Sequence, residues 1–445
     1  MKLTLLFALC ISAVSMLCAQ DRLTLDRAVK TALEQNQTLH AAAFDRDAGD
    51  WGKLNAITNF LPRVEISGGV TRIDPASERR ANAAVDFIKA AAGTLGIPQE
   101  ALSEIKPFAY RNTYSTDITL IQPIYNGGAE FVGLSAANAA QDKSTYAYRD
   151  SEQEVVATVK VAYFNVLKAI ELVALAQEAA ARTKRHLDMT NRRAAVGMRT
   201  RTDVLRWEVQ LASDEGNLVN AENGLALARL QLNNVMGVDM TARFVLEQPA
   251  DPDSASVPAH SFEFLETHPA MQIMQANLRL ADVGVDQAWI NFKPSVNVAF
   301  QYGWERNDTP ALDGIAPWAL ALQVKWPIFN SFGDYTRVQK AKAEYHRTEA
   351  QVESFRRGLL MQATGAELSL QSALKRTEIT QKSQQEAMDV LNAVTRRYET
   401  GGASNVDLID VQTAYTSAKA SFITALYDCR IAEVQLARAQ GRVTP

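Results

Sequence analysis

Two hydrophobic periodicities alternate along the chain, and each occurs twice. In the first half Val64, Ile66, Gly68 and Val70, then Tyr114, Thr116, Ile118 and Leu120, recur on every second residue. The second half repeats this with Val296, Val298, Phe300, Tyr302 and Trp304, then Trp318, Leu320, Leu322, Val324 and Trp326. A period of two in aromatic and β-branched residues predicts strands with one apolar face. Each strand pair is followed by a long stretch of helical spacing, from about Ala129 to Val196 and from about Asp334 to Thr400. Its apolar residues, such as Val155, Val159, Ala162 and Val166, form only a narrow stripe, as in a coiled coil. At 1.5 Å per residue each stretch predicts a rod of about 100 Å.

The ends of these elements carry local signals. Glycine supplies a left-handed cap, so Gly197 and Gly401-Gly402 are expected to end the rods. A return helix starts after Thr200 or Ser404 and runs to Gly237 or Gly441. A helix of moderate length precedes each strand pair, Leu25 to Phe60 and Phe262 to Phe292, and stops before a proline, which disfavours helix at the residue before it. Pro62, Pro123, Pro294 and Pro327 are therefore the expected strand–helix corners. The moderate helix and the return helix together match one rod, so they are expected to stack end to end beside it.

One register relates the halves: Pro123 maps onto Pro327, Gly197 onto Gly401, Asp203 onto Asp407 and Gly237 onto Gly441. Upstream, Asn36 pairs with His268, Phe60 with Phe292 and Pro62 with Pro294, so the first half holds an insertion, seated at Glu78 to Pro107 as a partly helical loop. The organisation read from this is a signal peptide (1–19), a first repeat (20–237) with an inserted loop (75–110), a Pro- and Asp-rich linker (238–260) and a second repeat (261–445).

Composition narrows the class. The 445 residues are 47% hydrophobic and 22% charged with net charge −4, which lacks the basic stripe that nucleic acid would require. The opening MKLTLLFALCISAVSMLCAQ reads as a secretory signal cut near Ala19. Cys18 raises the alternative of a lipoprotein signal, against which Met16 and Leu17 stand where small residues belong. Cleavage leaves Cys429 alone, without a disulfide partner. Past the signal no uncharged apolar run reaches the roughly 18 residues of a spanning helix, so the mature protein is either soluble or a barrel.

The five histidines lack ligand spacing, and neither a metal nor a cofactor is expected. With no phosphate loop, nucleophile elbow or zinc-protease signature, an enzyme is not expected either.

Four strands cannot enclose a pore, yet in lipid every backbone donor and acceptor must be paired. Three copies would supply twelve strands, an even number wide enough for an aqueous lumen, with Trp304, Trp318, Trp326, Tyr302 and Tyr114 as candidate interfacial anchors. The same pattern also allows a soluble periplasmic coiled-coil tether whose strands form a small sheet.

Taken together, the duplicated halves, PIYNGG and PIFN opening the rods, and the tip stretches AVGMRTRTDVL and YETGGASNVDLIDVQ resemble the TolC family of outer-membrane efflux channels over essentially the whole mature chain. The resemblance implies an α+β membrane protein: a homotrimer whose twelve-stranded barrel in the outer membrane continues into a twelve-helix periplasmic α-barrel. It implies the exit duct of a tripartite efflux or type I secretion system, which conducts small molecules or proteins passively. They would come from an inner-membrane RND, ABC or MFS pump through a periplasmic adaptor (membrane fusion) protein. On this reading the insertion is an external loop and the linker part of a belt around the tunnel.

The resemblance also assigns roles to residues at the tips. Asp407 and Asp410 stand three apart and share one helix face, where they either complement the helix dipole or form an acidic ring at the channel entrance. Asp203 and Tyr398 match entrance-latch positions. The basic partner of that latch is replaced by Ala403, leaving Arg199, Arg201, Arg396 or Arg397 to substitute, or a weaker latch. Gly197, Met198, Gly401 and Gly402 are tight turns and also the tips on which an adaptor hairpin would dock.

Overall fold

A computed structural model of the chain describes residues 22–248, 263–307 and 316–443. The signal sequence and most of the linker lie outside the described residues. The first part of the chain runs β1 (Arg22–Leu23), α1 (Leu25–Gln35), α2 (Gln37–Thr58), β2 (Arg63–Arg72), α3 (Pro75–Thr94), α4 (Gln99–Ser103), β3 (Asn112–Asn126), α5 (Ala129–Ala195), α6 (Arg201–Met236) and β4 (Val245–Leu246). The second part has α7 (Phe264–Thr267), α8 (Pro269–Trp289), a 3-10 turn (Ile290–Phe292), β5 (Ser295–Arg306), β6 (Trp318–Lys325), α9 (Gly333–Glu399) and α10 (Asn405–Ala439). The order strand, strand, long helix, return helix thus occurs twice, and the long helices α5 and α9 each have 67 residues.

Each moderate helix is broken in two at the residue paired by the repeat. Asn36 turns out of the helix, and its side-chain oxygen accepts the backbone N–H groups of Thr38 and Leu39 at 2.9 and 3.1 Å, capping α2. Its amide donates to the Val235 carbonyl at 2.7 Å, fastening the break to the end of α6. At the matching place His268 accepts from the Ala270 N–H at 3.2 Å, and Pro269 opens α8, where its missing N–H costs nothing. The return helices end against these breaks. Gly441 has φ 64°, and a Cβ there would lie 2.8 Å from His268 Cδ2; a Cβ at Gly237, where φ is 73°, would meet the Gln35–Asn36 backbone still more closely.

Pro62 and Pro294 stand just before strands and Pro327 just after one, but Pro123 lies within β3 and does not mark a corner. β3 continues through it to Asn126, and its pairing with β5 shifts between Pro123 and Tyr125, because a residue without an N–H cannot complete the ladder. The corner falls instead at Gly127-Gly128. The insertion is more regular than a loop. Asp74 caps α3 by accepting from Ala76 and Ser77, and Asn82 exchanges two bonds with the backbone of Ala109, at 2.7 and 2.9 Å.

The chain divides into two compact units. One, residues 50–141 and 278–348, holds the four-stranded sheet and the insertion. The other, residues 22–49, 142–277 and 349–443, is helical and holds the main core. Val155, Val159, Tyr163 and Val166 of α5 pack there with Val29 of α1 and Met236 of α6. Tyr163 is fully buried, and its hydroxyl lies 2.8 Å from the Leu23 carbonyl and 2.6 Å from that of Glu247. It thereby ties down the short parallel pair β1–β4, an element too brief to be read in advance. Cys429 is a buried residue of α10.

Candidate functional site

The sheet has the order β2-β3-β5-β6, with every pair antiparallel. Its registers align residues of like polarity. One cross-strand row reads Val64, Leu120, Phe300, Leu320, and the next Ile66, Ile118, Tyr302, Trp318. Side chains alternate across a strand, so these rows occupy one face. The opposite face carries Glu65, Thr119, Gln301 and Ala319, then Ser67, Asp117 and Gly303, with Gln301 donating to Asp117 at 3.1 Å.

The apolar face is bare: Leu320 is 65% and Trp318 67% exposed, and every residue of β2 and β6 is exposed. Among the described residues the outer edges of β2 and β6 have no strand partner. A water-soluble sheet would cover such a face; strands that turn it to lipid and the polar face to a lumen leave it like this. No described helix is long and apolar enough to cross a membrane.

The helix turns form the second feature. α5 and α9 both end in the same capped turn: Gly197 and Gly401 have φ of 78° and 83°, and the next N–H, of Met198 or Gly402, reaches back to Arg193 or Arg397 at 2.9 and 2.7 Å. Met198 is exposed at its tip. Asp203 and Asp407 do the same work in the two turns. Each closes a capping box, the Asp203 carboxylate accepting from the Thr200 N–H at 3.1 Å and that of Asp407 from the Ser404 N–H at 2.9 Å. These bonds hold both carboxyls below the usual carboxylate range, and both groups stay ionised. Asp410 lies one turn further on, also exposed, in a shallow groove that Arg206 shares.

Tyr398 is fully buried, and its hydroxyl donates to the Asn405 side-chain oxygen at 2.6 Å. Among the arginines considered as substitutes for the missing basic partner, Arg199 is the one at Tyr398, its guanidinium 5.1 Å from the ring centroid. Arg193, which the sequence reading did not single out, approaches within 5.9 Å. Arg397 donates instead to the Gly402 carbonyl, Arg396 to that of Asn392, and Arg201 pairs with Glu208. Beneath Tyr398, His186 stacks on Trp207 at 5.1 Å and meets Tyr398 edge-on at 6.1 Å. The sequence reading took His186 only as one of five histidines without ligand spacing and did not name Trp207. Trp207, a lone indole one turn after Asp203, was the available signal.

Burial, aided by Arg185 and Arg182, pushes the His186 imidazole down to about 4, so it is neutral at pH 7. Unfolded, the group titrates near 6.5 and takes up a proton first. Stability is therefore complete above about pH 6.5 and falls as pH drops toward 4, by on the order of 1–2 kcal/mol once partial solvent access is allowed for. Thermal unfolding measured from pH 7.5 to 4 should show this loss, and His186→Gln should flatten it.

A sheet with a bare apolar face, a polar opposite face and open edges, in a chain carrying helices of 67 residues, defines an outer-membrane channel protein. The chain belongs to the outer membrane efflux protein family, whose description matches residues 28–238 and 262–442. Protein CyaE of Bordetella pertussis is 26% identical over 334 residues, covering 73% of this chain and 70% of that protein. Outer membrane protein TolC of Escherichia coli is 22% identical over 344 residues, covering 74% and 70%.

Among solved structures, the Campylobacter jejuni CmeC outer membrane channel superposes with a TM-score of 0.81 at 18% identity, over 94% of this chain and 85% of that one. VceC from Vibrio cholerae gives 0.77 at 16% identity, over 94% and 96%. The fold is shared, the protein is placed in the outer membrane, and the reading as a soluble tether is set aside.

Proposed function

We propose that the protein is the exit duct of a tripartite efflux or type I secretion system, a passive conduit closed by three copies of the chain. The bare apolar face and open edges of the four-stranded sheet carry this reading. In lipid a sheet must close, so the β6 edge of one copy pairs with the β2 edge of the next, and three copies give twelve strands. The recurrence of the element order supports an internal duplication, in which each repeat contributes two strands and two helical layers of a tunnel wall. A periplasmic adaptor would dock on the tip turns at Gly197-Met198 and Gly401-Gly402, and an inner-membrane pump of the RND, ABC or MFS class would supply the cargo. The insertion at α3 and α4 would face the exterior.

Asp407 and Asp410 would ring the entrance and favour cations, while Asp203 and Tyr398 would help to hold it closed, with Arg199 as the basic member. The capping role of Asp407 does not compete with a ring, because its carboxylate is exposed and ionised. Conductance in planar bilayers tests the reading. Asp407→Asn/Asp410→Asn keeps an oxygen for the Ser404 cap and removes the charge, and it should lower cation-over-anion preference several-fold. Unchanged selectivity would remove the ring, and a native species that is a soluble monomer would remove the duct.

A further inference from the structure

The corner between β6 and α9 breaks a rule that its counterpart obeys. In the register that carries Pro123 onto Pro327, Gly127 and Gly128 correspond to Ser331 and Phe332. The glycines have φ of 66° and 89°, as a tight strand-to-helix turn requires. Ser331 and Phe332 occupy the same left-handed region, at 45° and 61°, and are the non-glycine residues that do so among the described residues. A bulky side chain there is strained, and such strain persists where the surroundings repay it.

What Phe332 meets within its own unit does not repay it. Its ring is 70% exposed and touches Phe329 edge to face at 5.5 Å, and Phe329 is itself 72% exposed. Ile328 is 88% and Trp326 61% exposed. The polar end of the Trp326 indole is satisfied, donating to the Phe292 carbonyl at 3.1 Å, so an apolar ring is what it presents outward.

We propose that Trp326, Ile328, Phe329 and Phe332 form a wedge that inserts into the lipid of the outer membrane at the boundary between acyl chains and headgroups. Two observations choose lipid over a second copy of the chain. The apolar row of β6, exposed from Trp318 to Val324, leads directly into the corner, so the patch continues the face already turned to lipid. Polarity then switches over the first turns of α9: Asp334 pairs with Arg337 at 2.8 Å beside the exposed Tyr335, and Lys340 and Lys342 follow, exposed, where anionic headgroup phosphates would lie. Apolar side chains bordered by basic ones are the composition of a segment lying at a membrane surface. The strained Phe332 is on this account held outward for the lipid it enters, at a position where the first repeat has open space around Gly128.

The inference rests on the barrel reading, and its test separates the two. Protein carrying Phe329→Cys in a Cys429→Ala background is labelled with an environment-sensitive nitrobenzoxadiazole dye. It is placed in phosphatidylethanolamine–phosphatidylglycerol vesicles containing nitroxide lipids, labelled either near the headgroup or at the chain end. Leu320→Cys on β6 and Met198→Cys at a helix tip serve as references. The Phe329 label should be quenched more by the shallow nitroxide than by the deep one, and iodide should reach it several-fold less than the Met198 label.

Access to iodide equal to that at Met198, or shielding from iodide without quenching by either nitroxide, would overturn the wedge; the second result would mean that another chain covers it. If the Leu320 label also fails to meet lipid, the barrel reading itself fails. If Leu320 is quenched and Phe329 is not, only the wedge falls. Phe332→Gly gives an independent check, since it relaxes the turn and removes the ring: stability in detergent should hold or rise while retention in vesicles falls. A parallel change in both would overturn the assignment.

Discussion

Leu320→Arg is expected to exclude the protein from the outer membrane. Leu320 lies in the apolar row with Phe300, Leu120 and Val64, between the rows of Trp318 and Leu322, well inside the bare face. An arginine near the bilayer midplane on the lipid side of a barrel costs about 2–4 kcal/mol, and in the proposed trimer three copies in one wall would raise this to on the order of 6–12 kcal/mol. That is comparable with the whole stability of many proteins.

Ala319→Arg places the same charge one residue earlier, on the face with Gln301, Thr119 and Glu65, which the proposed barrel turns to its lumen. It should insert normally and alter ion conductance. Outer-membrane fractionation and heat-modifiable oligomers on gels distinguish the two variants. If both insert equally well, the assignment of faces to lipid and lumen is wrong.

Trp207→Ala is expected to cost about 3–5 kcal/mol of stability, as for other large aromatics removed from a core. Trp207 is fully buried in a cluster with Leu391, Tyr398, Leu408 and Tyr415, which draws on α6, α9 and α10, and His186 of α5 stacks on it. Its removal leaves a void between four helices at the turns, and the neutral imidazole loses the ring that shields it. Trp207→Phe keeps most of the apolar contact and should cost markedly less. Chemical denaturation of the detergent-solubilised protein measures the difference. Limited proteolysis should also cut at Arg199 or Arg201 much faster in Trp207→Ala than in the native protein. Equal losses for Ala and Phe would show that the cluster does not depend on packing.

Much of this molecule was legible before its fold was known, because its signals are local. A strand with one apolar face has period two and a helix period 3.6, so the strand pairs and the 67-residue helices could be read from single stretches. The caps at Gly197 and Gly401, and the starts after Thr200 and Ser404, depend on residues within one turn of each other. Repetition helped as well, since each half could be checked against the other.

The rest depended on partners far away in the chain. Nothing near Pro123 says that β3 will pair past it with β5, which begins at Ser295, so the bulge replaced the expected corner. The breaks at Asn36 and His268 follow from the approach of Gly237 and Gly441, and β1 exists because Tyr163 holds it beside β4. Arg199 was one of several equivalent charges until packing brought it over Tyr398, and His186 was one of five scattered histidines until Trp207 and Tyr398 enclosed it.

The sequence by itself determined the main strands and long helices, their order and the polarity of each strand face, because these are set by chemistry repeated within a few residues. Only the tertiary structure decided which faces lie bare, which edges stay open and which charge meets which ring. Those outcomes depend on contacts between residues whose separation along the chain carries no information about their distance in space.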